Sequence, residues 1–544
     1  MVGAAVCREL MQHSPRRLIV SSLAQSEAEE AVGQLRKEFP SHDEKMFIPW
    51  SGNIFTRTEW KDLPREVILS DAGSRRGLVS DIIDELSDET LKSSALYSLL
   101  QEYRPDLVVD CINTATAIAY QDVYASSRSI LNEISDDCLK AESAERLLAS
   151  QYIPQLSRHI QLLYRGLLDA KTTMYVKVGT SGTGGMGLNI PYTHSEEQPS
   201  RVLLAKSAVA GAQTLLLFLM ARSPGPIVKE VKPSAAIAWK KISYGEIRRK
   251  GRPIPVVDMQ LRNARRLEGK FSIDEKNNVE HRDTFLSSVF IDTGENGIFS
   301  RAEFETISSI GQMELITPEE IAQYVVFEIL GGNTGYDIMQ ALDGAVMGPS
   351  YRGGGMRNVA LEQLRALERR HGVESIAFEM LGPPRLAKLL YEAHILKLIA
   401  GNIHNVIATS TEELARRAER LLEENAGLRQ QMLSVGLCVL LPTGEHYLRG
   451  EQVIIPPDRG NREFEVTQKV IEQWCHDGWI DLRTKNFSSW QKRLYDIRAS
   501  VAPDDTSSRE VYSAQYWDLF ETINEGKLAA WIFEFEEKGS RFKR

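Results

Sequence analysis

The sequence predicts an α/β protein built on a doubly wound parallel sheet, with a mainly helical α+β accessory domain behind it. Three observations carry that expectation. Apolar runs of strand length, such as Leu107 to Ile112 and Met174 to Val178, alternate with helical stretches, as buried parallel strands and their crossovers do. At 544 residues the chain is too long for one ordinary core. Past Arg352-Gly353-Gly354-Gly355 the strand runs give way to amphipathic helices. Those glycines read as a hinge, and the expected domains are residues 1–350 and 356–544.

Taken in order, Met1 to Leu10 reads as a helix, Arg17 to Ser22 as a strand and Phe47 to Trp50 as another. Pro64 to Glu102 is a helix-rich insertion, with apolar stretches at Asp81 to Leu86 and Leu96 to Leu100. Arg104-Pro105-Asp106 then leads into the apolar run ending at Asn113. Met174 to Val178 is followed by a loop and by a helix from Ser200 to Met220, and Val228 to Pro233 gives the next strand. Thr317-Pro318-Glu319-Glu320 is a helix start. Threonine caps, proline sits where its missing N–H costs nothing, and Glu320 closes a capping box.

In the accessory part, Asn358 to Arg370 and Thr411 to Met432 are amphipathic. Ser410 is expected to cap the second helix and Glu413 to complete its box. Leu414, Ala418, Leu421, Leu422 and Leu428 form a stripe that packs on a neighbour. Leu437 to Leu441 and Tyr447 to Ile455 flank Thr443-Gly444-Glu445 as a hairpin. A helix carrying Trp474 leads into Gly478 to Leu482, and the aromatic-rich end, including Trp517 and Phe533, reads as packing.

Composition narrows the function classes. Hydrophobic residues make up 42% and charged residues 26%, near the globular average, as for a soluble enzyme. A net charge of -9 argues against general nucleic-acid binding. Five scattered cysteines have no metal-type spacing, and beyond the adjacency of Cys475 and His476 nothing suggests a metal site, so none is expected. The cysteines read as reduced core residues of a cytoplasmic protein. Thr214 to Ala221 is apolar but short, and no membrane segment is expected. A basic excess between Val228 and Lys270, including Lys229, Lys232, Arg248, Arg249 and Arg266, is either a solvated face or oligomer contact, or a grip on a diphosphate.

The stretch from Met174 to Ala208 is the most informative. Gly182, Gly184 and Gly187 spell G-x-G-x-x-G after a strand. A dinucleotide site needs a helix to open at the third glycine, whereas Leu188-Asn189-Ile190-Pro191 follows, so the match reads as coincidence. With Thr180 and Ser181 at the strand end and Lys206 on the following helix, the stretch resembles the catalytic segment of the extended short-chain dehydrogenase/reductase family. The likeness is to its nucleotide-sugar epimerase and dehydratase branch, and runs in order through the same residues 1–350. It implies a Rossmann-type sheet binding NAD or NADP. Lys206 would hold the nicotinamide ribose, and Thr180 or Ser181 would orient the substrate oxygen. The family's tyrosine stands four residues before the lysine, where this chain has Val202. Tyr192, beside His194 and Glu196, is the nearest phenol; it is either a replacement acid or an ordinary loop residue.

The resemblance also assigns cofactor contacts. Gly3 stands for the last glycine of the phosphate loop, whose strand and first glycines are not in the sequence. The natural protein is therefore expected to start upstream, the alternative being a decayed cofactor site. Ser21 and Ser22 replace the acidic residue that favours NAD, which tilts the choice slightly toward NADP. Asn53 would lie beside the adenine, Asn113, Thr114 and Ala115 along the phosphates and ribose, and Pro233, where relatives often have Arg-Pro, is a further cofactor contact.

Two readings of function follow. The first is an NAD(P)-dependent oxidoreductase or nucleotide-sugar-modifying enzyme, moving hydride to or from a small carbonyl or carbinol substrate, with a nucleotide-sugar among the candidates. The second is a catalytically silent Rossmann-type scaffold or redox-sensing binding protein. The family resemblance implies a homodimer through the Ser200–Met220 helix.

Overall fold

A computed structural model of the chain describes residues 1–121, 123–136, 138–179, 201–233, 237–249, 251–274, 279–293, 297–309, 316–332, 345–347, 350–378, 384–458, 460–501, 514–517 and 521–537. At 202, 203, 345–347, 514 and 515 the description covers the backbone alone. These residues form a mixed α/β protein, 57% helical, with small sheets. Two compact units divide it: Met1–Gly187, Ser200–Ala238 and Leu315–Gly353 in one, and Trp239–Glu314 and Gly354–Arg544, with the short segment Leu188–Pro199, in the other. Neither unit is contiguous in sequence. The glycines 353–355 stand inside a helix, Tyr351–His371, rather than in a hinge loop, and the division falls within it.

The first unit contains strands β1 (Leu18–Ser22), β2 (Phe47–Ser51), β3 (Leu107–Asp110), β4 (Met174–Val178), β5 (Ile227–Pro233) and β6 (Ala345–Met347). Its principal helices are α1 (Val2–Met11), α2 (Gln25–Glu38), α3 (Thr114–Ala119), α4 (Tyr152–Ala170), α5 (Arg201–Ala221) and α6 (Pro318–Ile329). Every pairing between these strands is parallel. They make two sheets and not the single expected one: β1 with β2, and β6-β5-β4-β3. β1 and β3 are therefore edges, each with one side that no described strand pairs.

Side chains alternate between the faces of a strand, and both faces of the four-stranded sheet are covered. Val176, Val178 and Val231 pack with Ala5 and Val6 of α1 and Ile321, Ala322 and Val325 of α6. Tyr175, with Val108 and Val228, packs with Leu163 and Leu167 of α4 and Leu217 of α5. Helix α1 reaches past this layer, since its Met11 is buried with Val32 and Leu35 of α2 and Phe47 of β2. α6 starts as its sequence requires: Thr317 accepts from the Glu320 N–H, and Glu320 closes the box.

The Pro64–Glu102 insertion is helical, with helices at Arg65–Ser70, Ala72–Ile83, Asp88–Ser93 and Ala95–Tyr103. In α5, Leu204–Ala221 is long and apolar enough to cross a membrane by length and composition. The sequence reading counted only the uninterrupted run from Thr214 and so found no such segment. Here α5 packs on α3, α4 and β5.

In the second unit, Lys241–Glu246 and Ser287–Asp292 pair antiparallel along their whole length. The expected hairpin is present but short, Val439–Leu440 with His446–Leu448. Thr411–Ser434 is two helices and not one, broken at Asn425, whose side chain caps the second. Ser410 caps the first, but Glu413 turns its carboxylate to Arg416 and Arg417 instead of closing the box. Tyr447, Trp479 and Trp474 stack, and Phe271 packs tilted against them in one aromatic core.

The same unit holds a buried ion network. Arg301 reaches Glu305 at 3.1 Å, Glu368 at 2.9 Å and Glu525 at 3.4 Å, with its own side chain 5% exposed. Burial disfavours its charge, but the three carboxylates more than offset this and raise its pKa.

Candidate active site

The register places Asp110, Lys177 and Glu230 side by side across β3, β4 and β5. All three are buried, two near the carboxyl ends of their strands. A lysine in the apolar run MYVKV needs compensation, and the structure supplies it. The Lys177 ammonium lies 3.0 Å from Asp110 Oδ1, and it donates to the Ile112 carbonyl at 2.5 Å and to Thr114 Oγ1 at 3.4 Å. The Tyr175 hydroxyl donates to Asp110 Oδ2 at 2.7 Å. Burial pushes the Asp110 carboxyl up, but Lys177, Tyr175 and the Ile112 N–H together hold it below the usual range. Lys177 thereby ties the β3–α3 loop to the centre of the sheet, and the Asn113 side chain caps α3 by accepting from the Thr116 N–H.

Glu230 has the opposite balance. Burial raises its pKa, against Lys232, the Thr214 hydroxyl and Lys177. A Cβ at Gly179 would lie 2.1 Å from Glu230 Oε1, so only glycine fits between β4 and the loop that follows while Glu230 keeps its place.

The residues assigned by sequence stand as follows. Ser21 and Ser22 close β1, Asn53 follows β2, Asn113 to Ala115 follow β3, and Pro233 closes β5. Each is at the carboxyl end of a parallel strand, the edge where open α/β sheets bind ligands. Ser22 Oγ donates to Glu27 of α2 at 2.6 Å, so a carboxylate does stand at the end of β1. Asn53 is committed to its own turn, accepting from the Phe55 N–H at 3.0 Å. Thr114 and Ala115 are buried in the first turn of α3, which leaves backbone rather than side chain for any contact. A Cβ at Gly3 would meet Cys111 at 3.9 Å, an ordinary contact, so among the described residues nothing requires glycine there. The same distance sets the first turn of α1 beside the end of β3. Lys206 is 8% exposed on α5. Thr180, Ser181 and Tyr192, the G-x-G-x-x-G glycines and the Val202 side chain lie outside the described residues.

The basic excess divides between the two units and pairs largely with local acids. Lys229 binds Glu328, Lys232 faces Glu230, Arg248 binds Glu246, and Arg266 binds Glu268. Arg249 donates to the carbonyls of Phe378 and Val435. This favours the structural reading of that run.

Sequence reading missed Lys177, Asp110, Glu27 and His159. The first two were legible as charges in otherwise apolar strands; Glu27 and His159 depend on how the chain folds back.

His159 of α4 is 4% exposed, packs on Phe55, and has no hydrogen-bond partner on either ring nitrogen. Burial brings its pKa down from 6.5 to about 4, against the Asp110 carboxylate and with a smaller push from Lys177. Above pH 6.5 the ring is neutral folded or unfolded, and below it only the unfolded chain gains the proton. The protein should therefore lose about 3 kcal/mol from this group as pH falls from 6.5 to 4. Urea titrations across that window should give a flatter profile for His159→Leu; parallel profiles for the two proteins would refute the assignment.

The parallel sheets, with a row of buried charges across β3, β4 and β5, describe a mixed α/β protein. Residues 256–537, more than half of the chain, match the family model of the beta-methylindole-3-pyruvate reductase C-terminal domain, and the chain belongs to that family. The family takes its name from a reductase, which supports an oxidoreductase. The match begins beyond β5, overlaps the last part of the stretch that resembles the short-chain dehydrogenases, and continues through the accessory part, where the sequence resembles no known family. No curated protein and no solved structure matches the chain.

Proposed function

We propose that the chain is an NAD(P)-dependent reductase acting on the carbonyl of a 2-oxo acid. The observation that carries the reading is the placement of Ser22, Asn53, Asn113 and Pro233 at the carboxyl ends of parallel strands, in a chain whose other half matches a reductase domain. The family is named for a reductase of beta-methylindole-3-pyruvate, a 2-oxo acid bearing an indole, and that name supplies the substrate class. The residues fit a dinucleotide: Glu27 and Ser22 offer an acceptor and a hydroxyl to a ribose diol, and Lys177 fixes the β3–α3 loop to the sheet. The nicotinamide, when bound, supplies the hydride. Lys206 grips its ribose and favours ionisation of the proton donor. Thr180 or Ser181 would orient the carbonyl oxygen, and Tyr192 would donate to it the phenolic proton that completes the alcohol. The exposed face of α5, with Leu204, Leu215 and Leu219 and the open Gly211, supports a homodimer along that helix.

Ser21 and Ser22 alone tilt toward NADP, but the Glu27 carboxylate would repel a 2′-phosphate. Calorimetry should find NADH bound about fivefold to tenfold more tightly than NADPH, the scale of one partly screened charge pair. Glu27→Gln should narrow that difference. A folded chain that binds neither nucleotide would end the reductase reading and leave the silent scaffold.

A further inference from the structure

Three side chains from separate places in the second unit converge on one point. Glu374 follows the Tyr351–His371 helix, His394 lies within the Pro384–Ala400 helix, and Glu525 opens the Glu525–Trp531 helix. Their ligand atoms all lie within 4.8 Å of one another. His394 Nδ1 is 2.9 Å from Glu525 Oε1 and 3.2 Å from Glu374 Oε2. His394 and Glu525 are buried, whereas the Glu374 side chain is 43% exposed. All three belong to the stretch that matches the reductase C-terminal domain, and none belongs to the edge of the parallel sheet.

A cation already sits among them. Lys397, one turn beyond His394, places its ammonium 3.0 Å from Glu525 Oε1 and 3.4 Å from Glu374 Oε2, the same two oxygens that His394 meets. Its side chain is 25% exposed and flexible enough to turn out to solvent. A cavity of about 530 Å³, lined by Glu374, Glu525, Glu368, Arg301, Arg365 and Lys397 among others, gives access.

Charge favours a divalent occupant. Four carboxylates (Glu305, Glu368, Glu374 and Glu525) face three paired cations, Arg301, Arg365 and Lys397. With Lys397 turned away, four negative charges less two positive leave a deficit of two. Arg369, also in the lining, is exposed at the surface, where solvent screens it. One imidazole and two carboxylates suit ions of the zinc or manganese class, with open positions left for water or substrate.

We propose that Glu374, His394 and Glu525 form a divalent metal site whose occupancy is gated by Lys397. The ion displaces the ammonium, which moves toward solvent through the cavity. The proposal stands independently of the nucleotide reading.

The test is calorimetric titration of the full chain, stripped with EDTA and dialysed, with zinc chloride and with manganese chloride. Wild type should bind one equivalent of at least one of the two ions. Glu374→Gln should weaken binding tenfold or more, the usual scale for losing a metal-site partner. Lys397→Met should tighten it by about tenfold, because the competing cation is gone. Glu374 is half exposed, so its variant should fold, which circular dichroism checks. Absence of binding by both wild type and Lys397→Met would overturn the site. Affinity unchanged in Glu374→Gln, or weakened in Lys397→Met, would overturn it equally, because the ion would then sit elsewhere.

Discussion

Arg301→Ala should unfold the second unit or bring it close to unfolding. The guanidinium is 5% exposed and holds Glu305, Glu368 and Glu525, of which Glu305 and Glu525 have side chains 1% and 2% exposed. Removing one partner of a buried pair typically costs about 3–5 kcal/mol, because the other charge is left in a medium that solvates it poorly. Here three carboxylates lose a shared partner. Arg365 still reaches Glu305, and Lys397 and His394 still reach Glu525, so part of the loss is offset. Glu368 has no such substitute among the described ion pairs and should take up a proton, in the direction burial already pushes it. A loss of about 4 kcal/mol is a large share of the 5–15 kcal/mol that holds a typical domain together. Urea denaturation followed by tryptophan fluorescence reads it, because Trp474, Trp479 and Trp490 are buried in the same unit. A loss under about 1 kcal/mol would place the network with exposed pairs and contradict its burial.

Lys206→Met should reduce turnover of an aromatic 2-oxo acid by a hundredfold or more, the scale of a group that supports proton transfer in the transition state. Methionine is the better probe than alanine, since Lys206 is 8% exposed and a shorter residue would leave a cavity. The loss should fall on kcat more than on KM if the lysine acts on the proton donor, and on nucleotide affinity if it only grips the ribose. Turnover unchanged in a folded Lys206→Met protein would remove Lys206 from the mechanism and with it the main link to the short-chain dehydrogenase pattern.

Strands and helices were legible where local signals agree with their surroundings. β1, β2, β4 and β5 fall where apolar runs of strand length placed them, and Thr317-Pro318 starts α6 as its caps require. β3 stops at Asp110, earlier than its apolar run. The Asp110 side chain accepts from the Ile112 N–H and turns the chain toward α3. Glycines 353–355 misled in the other direction, since glycine permits a break but does not impose one, and the Tyr351–His371 helix runs through all three. The candidate site was legible as a set of strand ends. Its charges were not, because the pairing of Lys177 with Asp110 depends on the register between β3 and β4. The Arg301 network joins residues more than two hundred positions apart, beyond the reach of any local pattern.

Helix α1 gives the chain a particular order of assembly on the ribosome. Its Ala5 and Val6 are sealed by Ile321, Ala322 and Val325 of α6, some three hundred residues later. Nascent chains grow at about 5–20 residues per second, so that apolar face waits on the order of half a minute for its partner. Meanwhile Trp239–Glu314, which belongs to the other unit, emerges ahead of the strands it pairs with near residues 446 and 463. Both units are thus left open until late in translation, and a chaperone that shields α1 early should raise the yield of native protein.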